Sequence, residues 1–514
     1  MKAFSSRNHQ SRQFQKLMPY LFKVCAGFAL AFVSLQTSAA DYCFKMQRID
    51  NWEPTACYPS AGESCQAATD IVGGDSYILH PYASNPVASC EVLSTTGHVA
   101  GRFIDKYGNA CPVGKFFNAA RGHCESSEES KQKGIPGGKS RNEPSSCAGN
   151  PINLSNGNKY QLETDFQSAV QSGLRFYRLY NSNDGLWRHN FSTSLRFSGA
   201  LVILVRADGR ESVFTLQGSN YSGSADELGQ LIQAEEGWTY LSPQNQRLTF
   251  DSLGRLKEQR SEGGRLVHLT YSGAQATVSD DTGQAFSITS DGPQPLSFTK
   301  DNLVISYTYT SYKLLTKVTR TQVGAATQRN YSYSSGSAPY VTLLTGITDE
   351  RGVRHATWTY DSLGRAISSE HAGGTEKTLV SYNADGSTTV TNPLGKQTTY
   401  QFQTIQGVKH ITSIQGEPSP SCPMSNSTFT YDDRGLLTSK TDNKGLITTY
   451  DYNARGLEIS RTEAAGTPQA RTTTTIWHPA LYLPLTVTEP GRITTYTYDA
   501  QGRQLSRSSV GTAL

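Results

Sequence analysis

The segment YDSLGRA, residues 360 to 366, puts an aromatic ring, a carboxylate, a glycine and an arginine within seven positions. Such a set could grip a ligand or serve a reaction. The heptad returns, however, as FDSLGRL from Phe250, YDDRGLL from Tyr431, YNARGLE from Tyr452 and YDAQGRQ from Tyr498. A catalytic loop is rarely stamped five times into one chain, so the recurrence points to architecture.

The remaining candidates for chemistry are thin. No GxSxG, HExxH or phosphate-cradling glycine loop occurs, and the ten histidines are scattered. The acidic turns SDDTG at Ser279 and YNADG at Tyr382 lack the spaced carboxylates and distal glutamate of a calcium loop. Zinc is poorly served, because no CxxC pair exists and only His123 adjoins a cysteine. The expectation is a chain with no enzyme activity, no cofactor and no metal.

Physically, Y-D-x-x-G reads as a hairpin end. Asp or Asn suits the start of a type I turn, where its side chain bonds forward to its own backbone, and glycine suits the fourth position, where φ is often positive. The pairs are Asp251 with Gly254, Asp361 with Gly364, Asp432 with Gly435, Asn453 with Gly456 and Asp499 with Gly502. The aromatic before each turn is placed to pack on the neighbouring strand. Between the heptads runs a companion phrase, TDERGVRHATWTY from Thr348, TNPLGKQTTYQF from Thr391, TDNKGLITTYDY from Thr441 and TEPGRITTYTYD from Thr488. The spacings fit a unit of about 21 to 24 residues, the length of two short strands and two turns. A period in that range marks a repeat array.

Upstream, GLRFYRLYNS, FSTSLRF, ALVILVRADG and RESVFTLQG are short runs separated by Asn, Asp and Gly, the pattern of an all-β chain. The fold class is therefore all-β, an array of antiparallel hairpins preceded by a small cysteine-rich domain. Residues 150 to 514 are expected to form one continuous curved sheet.

Of 47 basic residues, five lie in the first forty positions, which hold no acid, and the rest of the chain is close to neutral. No basic run invites nucleic acid. The cationic start precedes the uncharged stretch Val24 to Leu35, and Ser38 and Ala40 occupy the small positions a signal peptidase needs. Residues 1–40 thus read as a signal peptide cleaved after Ala40, with an uncleaved anchor as the alternative, and the mature chain as exported to periplasm, cell surface or medium without a stable membrane span. Cysteine usage agrees. Cys43, Cys57, Cys65, Cys90, Cys111 and Cys124 crowd one region, while Cys147 and Cys422 stand apart. An even, dense set in an oxidising compartment reads as disulfides, three of them within residues 41–128, although six cysteines leave fifteen pairings open. Cys147 with Cys422 is a further candidate pair. Cys111 to Cys124 resembles the cysteine-framed segment of invertebrate-type chitin-binding modules, which would imply contact with cell-surface glycan; a plain structural loop is the other reading. Residues 129–146, poor in apolar side chains, read as a linker.

The combined phrase T-D-x-x-G-x-x-T-x-Y-x-Y-D-x-x-G-R-L resembles the YD repeats of the Rhs family, best kept at Thr441 to Leu457 and Thr488 to Leu505. GNPINLSNGNKYQLETDF with GLRFYRLYNS resembles the domain of unknown function that precedes those repeats in bacterial Rhs proteins. The resemblance implies an Rhs N-terminal β domain at 147–240 and repeats over 241–514. It implies a spiral array of antiparallel β-hairpins that closes as a hollow shell around a toxic C-terminal cargo, released by autoproteolysis at an Asp-Pro motif. This chain shows no such motif and no toxin domain, so it resembles the N-terminal portion of a shell. Its expected partners are the remaining shell or a toxin cargo.

Overall fold

The structure, a computed structural model, describes residues 42–46, 64–66, 69, 76–81, 88–94, 97–108, 115–118, 123–126, 130–134, 142–168, 173–198, 201–310, 313–334, 342–416 and 426–512. The segment read as a signal peptide, with its cleavage position, lies outside them.

Thirty strands, from Ser194–Ser198 to Gln504–Gly511, form one antiparallel sheet in which every strand pairs with its neighbours in sequence. Strand succeeds hairpin without crossover, as alternating β-rich runs and tight turns dictate. Curvature has a local cause. The register shifts beside the aromatic that precedes the turn, at Thr249/Phe250, Thr359/Tyr360, Thr430/Tyr431, Asp451/Tyr452 and Thr497/Tyr498. Each shift is a bulge that bends its strand and adds twist, so the repeated heptad curls the ribbon as it lengthens it.

The expectation of one sheet from residue 150 is corrected. The large sheet starts at Ser194, and before it Tyr160–Gln167, Arg175–Asn181 and Trp187–His189 make a separate three-stranded sheet. Its Phe176, Tyr180 and Trp187 share a buried core with Val202, Phe214, Phe286, Phe298, Ile347 and Trp358 of the large sheet. Ala148, Ile152 and Leu154 enter a second core with Val380, Tyr400, Phe429 and Tyr450. Joining the ribbon edge-on would have left these apolar side chains in water. Laid against its face, they are buried, each large one contributing about 1.5–3 kcal/mol. Residues 147–191 are thus a plug around which the ribbon winds.

Two hairpin rims result, one carrying the YD turns and the other the companion turns. The later YD rim stacks on the earlier companion rim. The Tyr482 hydroxyl donates to Leu228 O at 2.7 Å, the position of a Gly456 Cβ meets the Leu228 side chain, and Gly264 and Asn245 meet Arg503 and Gly502. Residues about 228 to 257 apart therefore touch, which is the length of one turn of the spiral.

The segment read as a linker is also corrected for its described residues. Ser130 and Lys133 are buried, and Asn142 Nδ2 donates to Glu458 Oε2 at 2.8 Å. Few apolar residues are present, but polar ones dock here through hydrogen bonds and ion pairs. Upstream, Gly97–Gly108 pairs with Tyr42–Met46 and Ala88–Ser94, and Ala88–Ser94 with Ser76–Pro81. Cys65 and Cys90 form a disulfide, with Cα atoms 5.6 Å apart. The side chains of Cys43, Cys57, Cys111, Cys124 and Cys422 lie outside the described residues, so the expected pairings among them do too. Cys147 Sγ is 2.9 Å from Ser145 Oγ. No helix among the described residues is long and apolar enough to cross a membrane.

Candidate functional site

The heptad that looked like a site is a closed knot of hydrogen bonds. Asp361 Oδ1 accepts from Leu363 N and Arg365 N, both at 2.9 Å, while Arg365 Nε donates to Asp361 Oδ2 at 2.8 Å. Asp251 repeats the pattern with Leu253 and Arg255, and Asp499 with Gln501 and Arg503. At Asp432 the arginine sits two residues on, at Arg434, and Asn453 makes the two backbone bonds alone, to Arg455 N and Leu457 N. The glycines close each turn with φ of 81° at Gly254, 74° at Gly364, 78° at Gly435, 73° at Gly456 and 81° at Gly502. With its lone pairs occupied, the carboxylate has little left for a metal or a substrate proton.

The aromatic and the arginine face neighbouring units. Tyr360, Tyr382, Tyr431, Tyr452 and Tyr498 each donate a hydroxyl bond of 2.7 to 2.9 Å to a carbonyl one hairpin earlier, those of Leu344, Ala366, Ile411, Leu437 and Pro484. The Arg365 guanidinium lies 4.2 Å from the ring centroid of Tyr382, and Arg255 lies 4.6 Å from that of Tyr271. The heptad at Tyr360 therefore cross-links its own turn, the hairpin before it and the one after it. Removing one rung, Tyr382→Phe, should cost about 1 kcal/mol and lower the melting temperature slightly. An unchanged melting curve would show that the Ala366 carbonyl is satisfied otherwise.

The acidic turns carry the same logic. Asp280 Oδ1 accepts from Thr282 N and Gln284 N, both at 3.1 Å, and Oδ2 pairs with Arg265 at 3.0 Å. Asp385 Oδ1 accepts from Ser387 N and Oγ. Among the described residues no group of three or more potential ligands is placed to hold a metal.

What the sequence did not reveal is the interior between plug and sheet. The strand Tyr160–Gln167 turns Gln161, Glu163 and Asp165 inward and leaves Leu162 exposed. Asp165 Oδ2 takes Arg178 Nε at 2.5 Å and the Tyr307 hydroxyl at 2.8 Å, Arg178 NH2 reaches the Tyr331 hydroxyl at 3.0 Å, and Glu163 pairs with Arg329. Burial opposes the Arg178 charge, but Asp165 and the surrounding phenols more than offset it and raise its pKa. Lys159, fully buried, donates to Asn150 O and Tyr160 O at 2.6 Å and to Gln161 Oε1 at 2.7 Å, with the Trp358 ring centroid 4.1 Å away. Burial pushes its pKa down, with Glu163 opposing.

Farther along, a cavity of about 500 Å³ lies between the plug and residues 206–246. Its charges are spoken for, Arg206 with Glu227, Arg210 with Asp208 and Lys131 with Asp226, each at 2.8 Å. Paired in this way, they hold the walls in place.

His189 sits in the plug–sheet core beside Phe176, its Nδ1 accepting from Phe191 N at 3.3 Å and its Nε2 3.2 Å from Ser290 Oγ. Burial pushes its pKa down to about 3 from 6.5. The unfolded chain therefore binds the extra proton first. The stabilisation is complete above pH 6.5 and is lost as pH falls toward 3, at about 1.4 kcal/mol per unit. Denaturation midpoints should fall between pH 7 and pH 4.5 by more in the wild type than in His189→Gln. Equal falls would remove His189 as the cause.

Two family models match the chain. The domain of unknown function DUF6531 covers residues 149–214, the plug and the first strands of the sheet, and the RHS repeat covers residues 431–468, two YD turns with the companion turn between them. No curated protein matches. Among solved structures, the chain is similar to the TcdB2–TccC3 complex at 11% identity, covering 82% of this chain and 23% of that one, with a TM-score of 0.29. It is also similar to a Photorhabdus luminescens Tc holotoxin pore carrying a TccC3 mutation at 12% identity, covering 80% and 25%, with a TM-score of 0.27. The chain thus spans about a quarter of the length of either structure. A DUF6531 match thus leads into a hairpin array that contains an RHS repeat match.

Proposed function

We propose that this protein is an exported structural scaffold, the N-terminal part of an Rhs-type shell that encloses or delivers a polypeptide cargo, a toxin in the systems it resembles. The observation that carries this reading is the stacking of one rim on the other after a single turn of the spiral, which makes a wall out of a ribbon. Saturated turn carboxylates and paired interior charges suit a wall, and the reading assigns the chain no catalytic role and no cofactor. Export rests on the leader-like residues 1–40 and on the Cys65–Cys90 disulfide. The partner is further shell or cargo. Among the described residues the strand Gln504–Gly511 is exposed along its length and pairs with Arg492–Tyr498 alone, and such an edge templates another strand.

The test is expression of residues 41–514 in the periplasm of a susceptible host, with tagged downstream gene products supplied in trans. Normal growth and co-purification with a shell-like product are expected. Toxicity of this chain alone, or turnover of a substrate by it, would overturn the scaffold reading.

A further inference from the structure

We propose that residues 131–134, Lys-Gln-Lys-Gly, are a docked peptide strap that holds the N-terminal disulfide-bonded domain to the wound sheet independently of the covalent connection that follows them. The groove for this strap is assembled from three parts distant in sequence: the loop around Asp226, the hairpin tip at Gln406 and Gly407, and the plug. Lys131 Nζ bridges the first two, 2.8 Å from Asp226 Oδ1 and 3.0 Å from Gln406 O. Gln132 Nε2 donates to Gly407 O at 3.0 Å, and Gln132 O accepts from Asn156 Nδ2 at 2.9 Å. Lys133 Nζ lies 3.7 Å from Asp184 Oδ2, both side chains almost wholly buried. Gly134 N donates to Asn181 Oδ1 at 2.7 Å.

The fit is specific in shape as well as charge. Gly134 has φ of +82°, and a Cβ there would stand 2.6 Å from Asp208 Cγ, so only glycine ends the strap comfortably. Asp226 is the carboxylate that Lys131 meets, and Lys133 joins Arg188 in holding the Asp184 pKa down to about 2 against its burial. Buried charge pairs of this kind act chiefly on the rate of dissociation, since breaking one strands its partner without water. A chain cut after residue 134 should therefore keep residues 42–134 in place, so that proteolysis of the joint does not shed the N-terminal domain.

The experiment places a site for a specific protease within residues 135–141 of the full chain. After complete cutting, the two fragments should elute together from a sizing column and separate only in denaturant. Lys131→Ala with Lys133→Ala, and separately Gly134→Ala, should release the N-terminal fragment about tenfold faster or more. Lys139→Ala should not. Separation of the wild-type fragments on cutting would overturn the strap, and so would undiminished retention in the variants. Should the variants fail to fold, the cut wild-type protein is challenged with a synthetic peptide of residues 127–138. Release by excess peptide supports docking, and unchanged retention overturns it.

Discussion

Arg178→Met should destabilise the protein by about 3–5 kcal/mol, the largest single effect expected for a side chain of the interior. The substitution keeps much of the volume and removes the charge. Asp165, almost buried, would lose both guanidinium bonds and keep only the Tyr307 hydroxyl at 2.8 Å. Tyr331 would lose its bond from Arg178, and the cation would vanish from beside Trp187, whose ring centroid is 4.8 Å away. An uncompensated buried carboxylate accounts for most of the loss, so Asp165→Asn in the same chain should restore part of it. Urea denaturation of the single and double variants measures this coupling, and purely additive losses would show that the pair does not act as a unit.

The second large effect comes from a turn. Gly254→Ala should cost about 2–5 kcal/mol, against about 1–2 kcal/mol for Gly386→Ala. Both glycines have φ above +80°, so both substitutions incur the left-handed strain. They differ in what stands over them. A Cβ on Gly386 meets nothing within 4 Å, whereas on Gly254 it would sit 2.3 Å from Leu195 O, the carbonyl of the first strand of the sheet. That carbonyl cannot move without disturbing the bond from Leu195 N to Gly254 O, at 2.8 Å. The comparison separates conformational strain from close approach, and equal melting temperatures for the two variants would remove close approach as a factor.

Much of the sheet was legible in the sequence and little of its interior was. Hairpins announce themselves locally, because Asp361 and Gly364 fix a turn with atoms only a few bonds apart. The start of the sheet was misjudged for a different reason. Tyr160–Gln167 and Arg175–Asn181 are strands by the same period of two, and nothing in that period tells a strand in the ribbon from a strand laid across it. Simple alternation would also have put Leu162 inward and Glu163 outward. The structure inverts both, because Arg329, 166 residues away, supplies the partner that makes burial of Glu163 tolerable. Lys131 and Lys133 misled in the same way, as a hydrophilic linker is indistinguishable from a hydrophilic ligand until the groove that receives it exists.

The stacked rims bear on how the molecule comes to be folded. Nearly every strand pair closes over a short stretch of chain, but the seam between Leu228 and Tyr482 must wait for 254 residues. Chains dominated by local pairings fold fast, and long closures come late because their loop entropy is lost before any contact repays it. The plug precedes the hairpins in the chain, so they are expected to accrete on it in order and the seam to close last. Winding is thus written into the direction of synthesis, and a rearranged chain that presented its repeats before residues 147–191 would offer them no mandrel to wind on.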